Sequence, residues 1–196
     1  MALTRMGWIR HGSTAWNKEG RAQGQSDIPL DEEGVQQAER LAERLSGEKW
    51  DVIYSSDLMR ARATAEAVAR RLQLGEVKLD ERLREANGGQ TEGTTEAERI
   101  QKWGDNWREL ELDRETRESL LERATAVLDE IAERHPGQNV LVVSHGALIG
   151  RAMETWIPEA YTGESLVNTS ITTICKNDED QAGWACELFN CSRHLD

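Results

Sequence analysis

Of 196 residues only three are cysteine and three are proline, and no apolar run approaches the length needed to cross a bilayer. Cys175, Cys186 and Cys191 are an odd number gathered near the C-terminus, which favours reduced, partly buried thiols over a disulfide framework. The N-terminus carries no signal-like apolar segment, so a cytoplasmic protein is expected. Positive charge is in short supply, with 24 Lys plus Arg against 36 Asp plus Glu and a net charge of −12. That balance argues against nucleic acid and anionic membranes as partners. No cluster of Cys, His or carboxylates has metal-ligand spacing, so neither a metal nor another cofactor is expected. No low-complexity linker interrupts the chain, and residues 1–196 are read as a single domain.

What is present is an alternation of strand and helix patterns. It predicts an α/β fold: a three-layer α/β/α sandwich on a mostly parallel sheet with an antiparallel edge. Val35, Ala38, Leu41, Ala42 and Leu45 repeat with helical spacing, as do Leu58, Ala61, Ala65, Val68, Ala69 and Leu72. Leu120, Leu121, Ala124, Val127, Leu128, Ile131 and Ala132 mark a third helix, and a fourth follows His145 to about Trp156, ended by Pro158. The segment from Leu166 to Cys175, a turn over Asn177 to Asp180, and Trp184 to Asn190 read as an antiparallel hairpin at a sheet edge.

Two histidines occupy the same place in this pattern. Met6 to Ile9 is a short apolar run that gives way to Arg10, His11 and Gly12, and the run Val140 to Ser144 gives way to His145 and Gly146. Side chains at the carboxyl ends of parallel strands are where open α/β sheets bind ligands. A third junction joins them: Val52 to Tyr54 is a strand, Ser55, Ser56 and Asp57 offer N-cap residues, and Arg60 falls in the first turn of the next helix. Neighbouring strands would gather Arg10, His11, Arg60 and His145 in one crevice. Guanidinium groups and a helix N-terminus near Asp57 suit phosphate oxygens, and flanking cations lower a histidine's pKa, keeping it neutral and nucleophilic. His135 and His194 lack such positions and read as hydrogen-bonded structural residues.

The stretch Arg10-His11-Gly12-Ser13-Thr14 resembles the Arg-His-Gly-(Glu/Gln/Ser)-Thr signature of the histidine phosphatase superfamily, in its phosphoglycerate mutase-like branch. The resemblance continues through Asn17, Gln23 to Leu30, Gly34 to Ala38, Ser55 to Ala65, Leu83 to Glu85, Ser144 to Gly146 and Asn168 to Thr172, in order over nearly the whole chain. It implies a phosphoglycerate mutase-like fold and a phosphohistidine formed on His11. Arg10, Arg60, His145 and Gly146 would close the phosphate pocket, with His145 protonated beside the dianion and Asn17 adding an amide. Glu85 matches the acid/base carboxylate in the pattern Glu-x-x-x-Gly-x-x-Glu-Gly, with its pKa raised by burial or by the bound phosphate. Glu92 is the rival carboxylate.

The expected partner is a small-molecule phosphomonoester, and a homodimer is compatible with the sequence. Gly93 to Asp113 carries a capping box, Thr95 and Glu98, and Ala97, Ile100, Trp103 and Trp107 on one helical face. The family places inserted helices over the pocket at this point, so Trp103 or Trp107 would line the leaving-group side, although for either Trp taken singly core packing is the commoner role. Cofactor-dependent phosphoglycerate mutases follow the acid/base Glu with Arg-His-Tyr-Gly. Here Ala86, Asn87 and Gly88 stand instead, and the prolines are Pro29, Pro136 and Pro158. A phosphomonoesterase is therefore expected, with a mutase as the alternative. A non-catalytic phospholigand-binding protein would be expected to have lost His11 or Glu85, and both are present.

Overall fold

The computed structural model of the chain describes residues 4–176 and 183–196. Strands β1 (Thr4–Arg10), β2 (Val52–Ser55), β3 (Lys78–Leu79), β4 (Asn139–Ser144), β5 (Ile171–Lys176) and β6 (Trp184–Cys191) form one sheet in the order β3-β2-β4-β1-β5-β6. The first four are mutually parallel, and β5 and β6 add an antiparallel edge. The turn expected over Asn177 to Asp180 lies outside the described residues.

Period-two alternation sends each strand's side chains to opposite layers. Met6, Trp8, Val140 and Val142 pack with α5 (Arg117–Arg134) and α6 (Gly146–Trp156). Ile9, Leu141 and Val143 pack with α2 (Glu32–Leu45) and α3 (Met59–Leu72). Two short helices, α1 (Ala15–Glu19) and α4 (Glu96–Trp103), belong to the loops above the strand ends. On α6, Trp156 meets Trp8 with ring centroids 5.3 Å apart, which fixes that helix over β1.

Three local expectations change. Val35 is half exposed, because the first turn of α2 turns Gly34 inward instead. A Cβ on Gly34 would stand 2.1 Å from the Ser13 carbonyl, so only glycine lets α2 pack this close to the loop after β1. Helix α3 begins at Met59, close to Asp57 as expected, but its N-cap is Leu58 and not one of Ser55 to Asp57. Its first N–H groups are already taken, Leu58 donating to Ser56 Oγ at 3.3 Å and Met59 to Asp27 at 2.7 Å, while Asp57 pairs with Arg84. On α4 the capping box forms as expected, but Ala97 and Ile100 face outward and Arg99 is the buried residue.

His135 bonds to Tyr54 at 2.9 Å and Gln138 at 2.6 Å, the structural role expected of it. The cysteines are free thiols, and burial pushes Cys175 up to about 12. Among the described residues, no helix is long and apolar enough to cross a membrane.

Candidate active site

Strands β1 and β4 pair so that Arg10 lies opposite Ser144, which places His11 and His145 side by side where both strands end. Their ring centroids are 5.2 Å apart. His11 is 3% exposed, and its Nδ1 lies 2.7 Å from the Gly12 carbonyl. A carbonyl only accepts, so Nδ1 carries the proton and Nε2 keeps its lone pair. Burial, then Arg60 and Arg10, holds this imidazole well below the usual histidine range. Cations were the expected cause, but burial is the larger one.

His145 is fully buried, with Nε2 at 2.8 Å from Ser56 Oγ. Ser56 Oγ already accepts from Leu58 N–H, so its own proton is free for Nε2. In that arrangement His145 carries its proton on Nδ1, which is buried and has no partner among the described residues. Burial and Arg60 hold His145 well below the usual range, which favours the neutral imidazole here; the protonated form was expected beside a bound dianion.

Arg10 and Arg60 each leave Nε buried without a partner among the described residues. Their outer nitrogens are held by main-chain carbonyls: Arg10 by Leu166, Arg60 by Ser26 at 2.8 Å and Gly24 at 2.7 Å. The loop that grips Arg60 is in turn gripped by Glu92, which accepts from Gln25 N–H, Ser26 N–H, Ser26 Oγ and Gly88 N–H at 2.6–3.0 Å. A Cβ on Gly24, at φ +51°, would collide with that carboxylate at 2.0 Å. The rival carboxylate is thus a clamp for Arg60. Glu92→Ala is expected to cost about 3 kcal/mol, since it strips the partner from four half-buried donors at once. It is also expected to lower kcat/KM for p-nitrophenyl phosphate about tenfold through a displaced Arg60. Urea denaturation and steady-state kinetics check both.

Glu85 lies against the N-terminus of α6, accepting from Ala147 N–H and Leu148 N–H at 3.0 Å and from Ala86 N–H at 2.9 Å. Its charge acts on both Arg10 and Arg60. Arg123, on α5, fastens the loop that carries it, donating to the carbonyls of Arg82, Arg84 and Glu85 while paired with Glu115 at 2.8 Å. Asn17 spends its side-chain oxygen on Thr14 in capping α1, which leaves its –NH2 as the group it can offer. Gly146 lies under Arg10, where an added Cβ would stand 3.4 Å from Nε.

Arg10, Glu85 and Gly146 share a cavity of about 500 Å3 with Arg151, Tyr161 and Glu164. Its outer wall is α6 and the segment after it, not the 93–113 segment. Trp107 is buried under Arg99 and Arg108, and neither Trp107 nor Trp103 lines this cavity. No group of three or more His, Cys, Asp or Glu among the described residues is placed to hold a metal ion.

The sequence reading missed Arg123 and Ser56 as supports. Thr64, whose Oγ accepts the Gly12 N–H at 3.0 Å, left a trace as a lone hydroxyl between the buried Ala61 and Ala65.

Neutral buried histidines tie stability to pH. In the unfolded chain both titrate near 6.5, whereas in the folded chain both lie well below it. The unfolded state therefore binds more protons, and stability falls as pH drops below about 6.5. His11 and His145 each contribute about 1.4 kcal/mol per pH unit over that window. Thermal melts from pH 7.5 to 5 check this, and phosphate or vanadate should flatten the decline by favouring a cationic site.

A model of the histidine phosphatase superfamily (branch 1) matches residues 8–192. The chain belongs to that superfamily. Phosphoglycerate mutase-like protein 4 of Arabidopsis thaliana is 35% identical, the match covering 96% of this chain and 85% of that protein. The metal-independent phosphoserine phosphatase of the same plant is 33% identical over 98% of this chain and 84% of its own length. Among solved structures, a phosphoserine phosphatase variant from Entamoeba histolytica, in complex with phosphoserine, superposes with a TM-score of 0.80 at 30% identity, covering 98% of this chain and 99% of that one. The chain is accordingly an enzyme of the histidine phosphatase and phosphoglycerate mutase family, with the family's α/β sandwich.

Proposed function

We propose that this single-domain histidine phosphatase hydrolyses a small phosphomonoester through a phosphohistidine on His11. The observation that carries the reading is a set of three buried side-chain nitrogens with no partner among the described residues, on Arg10, Arg60 and His145, grouped about an imidazole whose Nε2 lone pair is free. Buried polar groups are nearly always satisfied, and a phosphoryl group supplies the missing acceptors.

In the first step Nε2 of His11 attacks phosphorus, the ester P–O bond breaks, and Glu85 in its acid form protonates the departing alkoxide. In the second, water attacks the phosphohistidine and Glu85 takes its proton, so inorganic phosphate leaves and His11 is regenerated. Arg10, Arg60, the Nδ1–H of His145 and the –NH2 of Asn17 meet the charge spread over the phosphoryl oxygens. No metal enters this scheme.

Hydrolysis is favoured over mutase chemistry by the residues after Glu85. Ala86 packs against the core, and Asn87 is turned to Glu115 through its N–H and to Gly89 through its side chain, so neither offers a cation to a phosphoglycerate carboxylate. Incubation with 3-phosphoglycerate, a primed 2,3-bisphosphoglycerate pool and p-nitrophenyl phosphate, without added metal, separates the readings. Free phosphate alone is expected. Formation of 2-phosphoglycerate would overturn the hydrolase assignment.

A further inference from the structure

Behind the nucleophile, a chain of hydrogen bonds runs from α2 to the main chain of His11. Arg44, near the end of α2, donates to the Cys191 carbonyl at 3.1 Å and lies 3.3 Å from His194 Nδ1. His194 sits in the turn Arg193–Leu195, with Nε2 3.0 Å from Thr169 Oγ. Thr169 Oγ lies 2.7 Å from the Asn168 carbonyl, an acceptor that only the hydroxyl proton can satisfy. The hydroxyl proton is therefore spent, and Thr169 Oγ must accept from an Nε2–H of His194. Nδ1 is then left as an acceptor facing the permanent cation of Arg44. One arrangement of protons satisfies every link, and it requires a neutral His194 with its proton on Nε2.

The far end of the chain is the nucleophile's own backbone. Asn168 Nδ2 donates to the His11 carbonyl at 2.9 Å, and the Thr169 N–H donates to the carbonyls of Arg10 at 2.9 Å and His11 at 3.3 Å. Thr169 is fully buried at φ +58°, a left-handed conformation that a β-branched residue rarely adopts. Such strain persists only where surrounding bonds over-determine it, and here those bonds lead to His11.

We propose that His194 is a positioning residue for the nucleophile, holding Thr169 in its strained conformation so that Asn168 and Thr169 fix the His11 peptide for in-line attack. This rests on the reading of His11 as nucleophile. Burial, and then Arg44, pushes His194 down to about 4, with Arg193 and Arg40 adding to it and Asp196 opposing, so it stays neutral across the working range of a neutral-pH enzyme.

The test compares His194→Leu with His194→Gln in the full chain. Gln can donate to Thr169 and accept from Arg44, and Leu can do neither. Rapid-quench measurement with p-nitrophenyl phosphate is expected to show about a tenfold slower phosphorylation of the Leu variant, as befits a nucleophile displaced by a fraction of an ångström. KM should change less than about twofold, and Gln should restore most of the rate. Amide exchange at Thr169 should quicken in the Leu variant alone. Thr169→Val interrupts the same chain while keeping the side chain's shape, and it carries the test should the Leu variant not fold. Unchanged phosphorylation in a folded Leu or Val variant would overturn the proposal, as would equal losses in Leu and Gln. A wild-type enzyme that forms no phosphoenzyme would instead overturn the reading of His11, and that control is run first.

Discussion

His11→Ala is expected to abolish turnover, lowering kcat for p-nitrophenyl phosphate by about 10⁴-fold or more, because it removes the imidazole whose Nε2 carries out the attack. The fold should survive. Among the described residues the His11 side chain makes one hydrogen bond, to its own neighbour Gly12. The main-chain bonds that anchor the position, from His11 N–H to Ser144 and from Asn168 and Thr169 to its carbonyl, do not depend on the imidazole. Removing a buried neutral histidine also removes its share of the acid sensitivity, so the variant's stability should fall less steeply below pH 6.5. Turnover within tenfold of wild type would mean that phosphorus is attacked by something other than His11.

Glu85→Gln should produce the second large effect, and its size should depend on the leaving group. An alkyl phosphate expels a strongly basic alkoxide that needs a proton, and losing a general acid costs about 10²–10⁴-fold. Nitrophenolate leaves without that help, so its release should slow by less than about tenfold in the same protein. Part of any common loss will be structural. Glu85 accepts three main-chain N–H groups at 2.9–3.0 Å, and an amide would turn one N–H against another. Measuring kcat/KM for an alkyl phosphate and p-nitrophenyl phosphate side by side removes that common factor. Equal slowing of both substrates would show that Glu85 holds α6 and its loop rather than delivering a proton.

Much of this site was legible because its residues stand at strand ends. Apolar runs that stop at Arg10-His11-Gly12 and at Ser144-His145-Gly146 fix two parallel strands, and their pairing leaves the histidines no place but together. Arg60 was legible for the same reason, one residue into a helix after a third strand. The supports were not. Arg123 is one of three arginines on a long amphipathic helix, and only the tertiary fold shows that it binds the carbonyls of Arg82, Arg84 and Glu85. The separation of Glu85 from Glu92 came from a motif match, since two loop glutamates seven residues apart have no local signal to tell a cavity carboxylate from a loop clamp. Helix α4 failed for an instructive reason. Its apolar spacing predicted an inward face, but Arg99 stacks on Trp107 and takes the interior position, leaving Ile100 outside. The cavity wall went unread because it is formed by Arg151, Tyr161 and Glu164, whose spacing in sequence has no period.

The most direct test of the account is to catch the covalent intermediate. Enzyme mixed with p-nitrophenyl phosphate and quenched within milliseconds should carry one phosphoryl group that is stable in alkali and lost in acid, and mass spectrometry under alkaline conditions should place it on His11. Phosphate found on any other residue, or hydrolysis with no phosphoenzyme under single-turnover conditions, would contradict it.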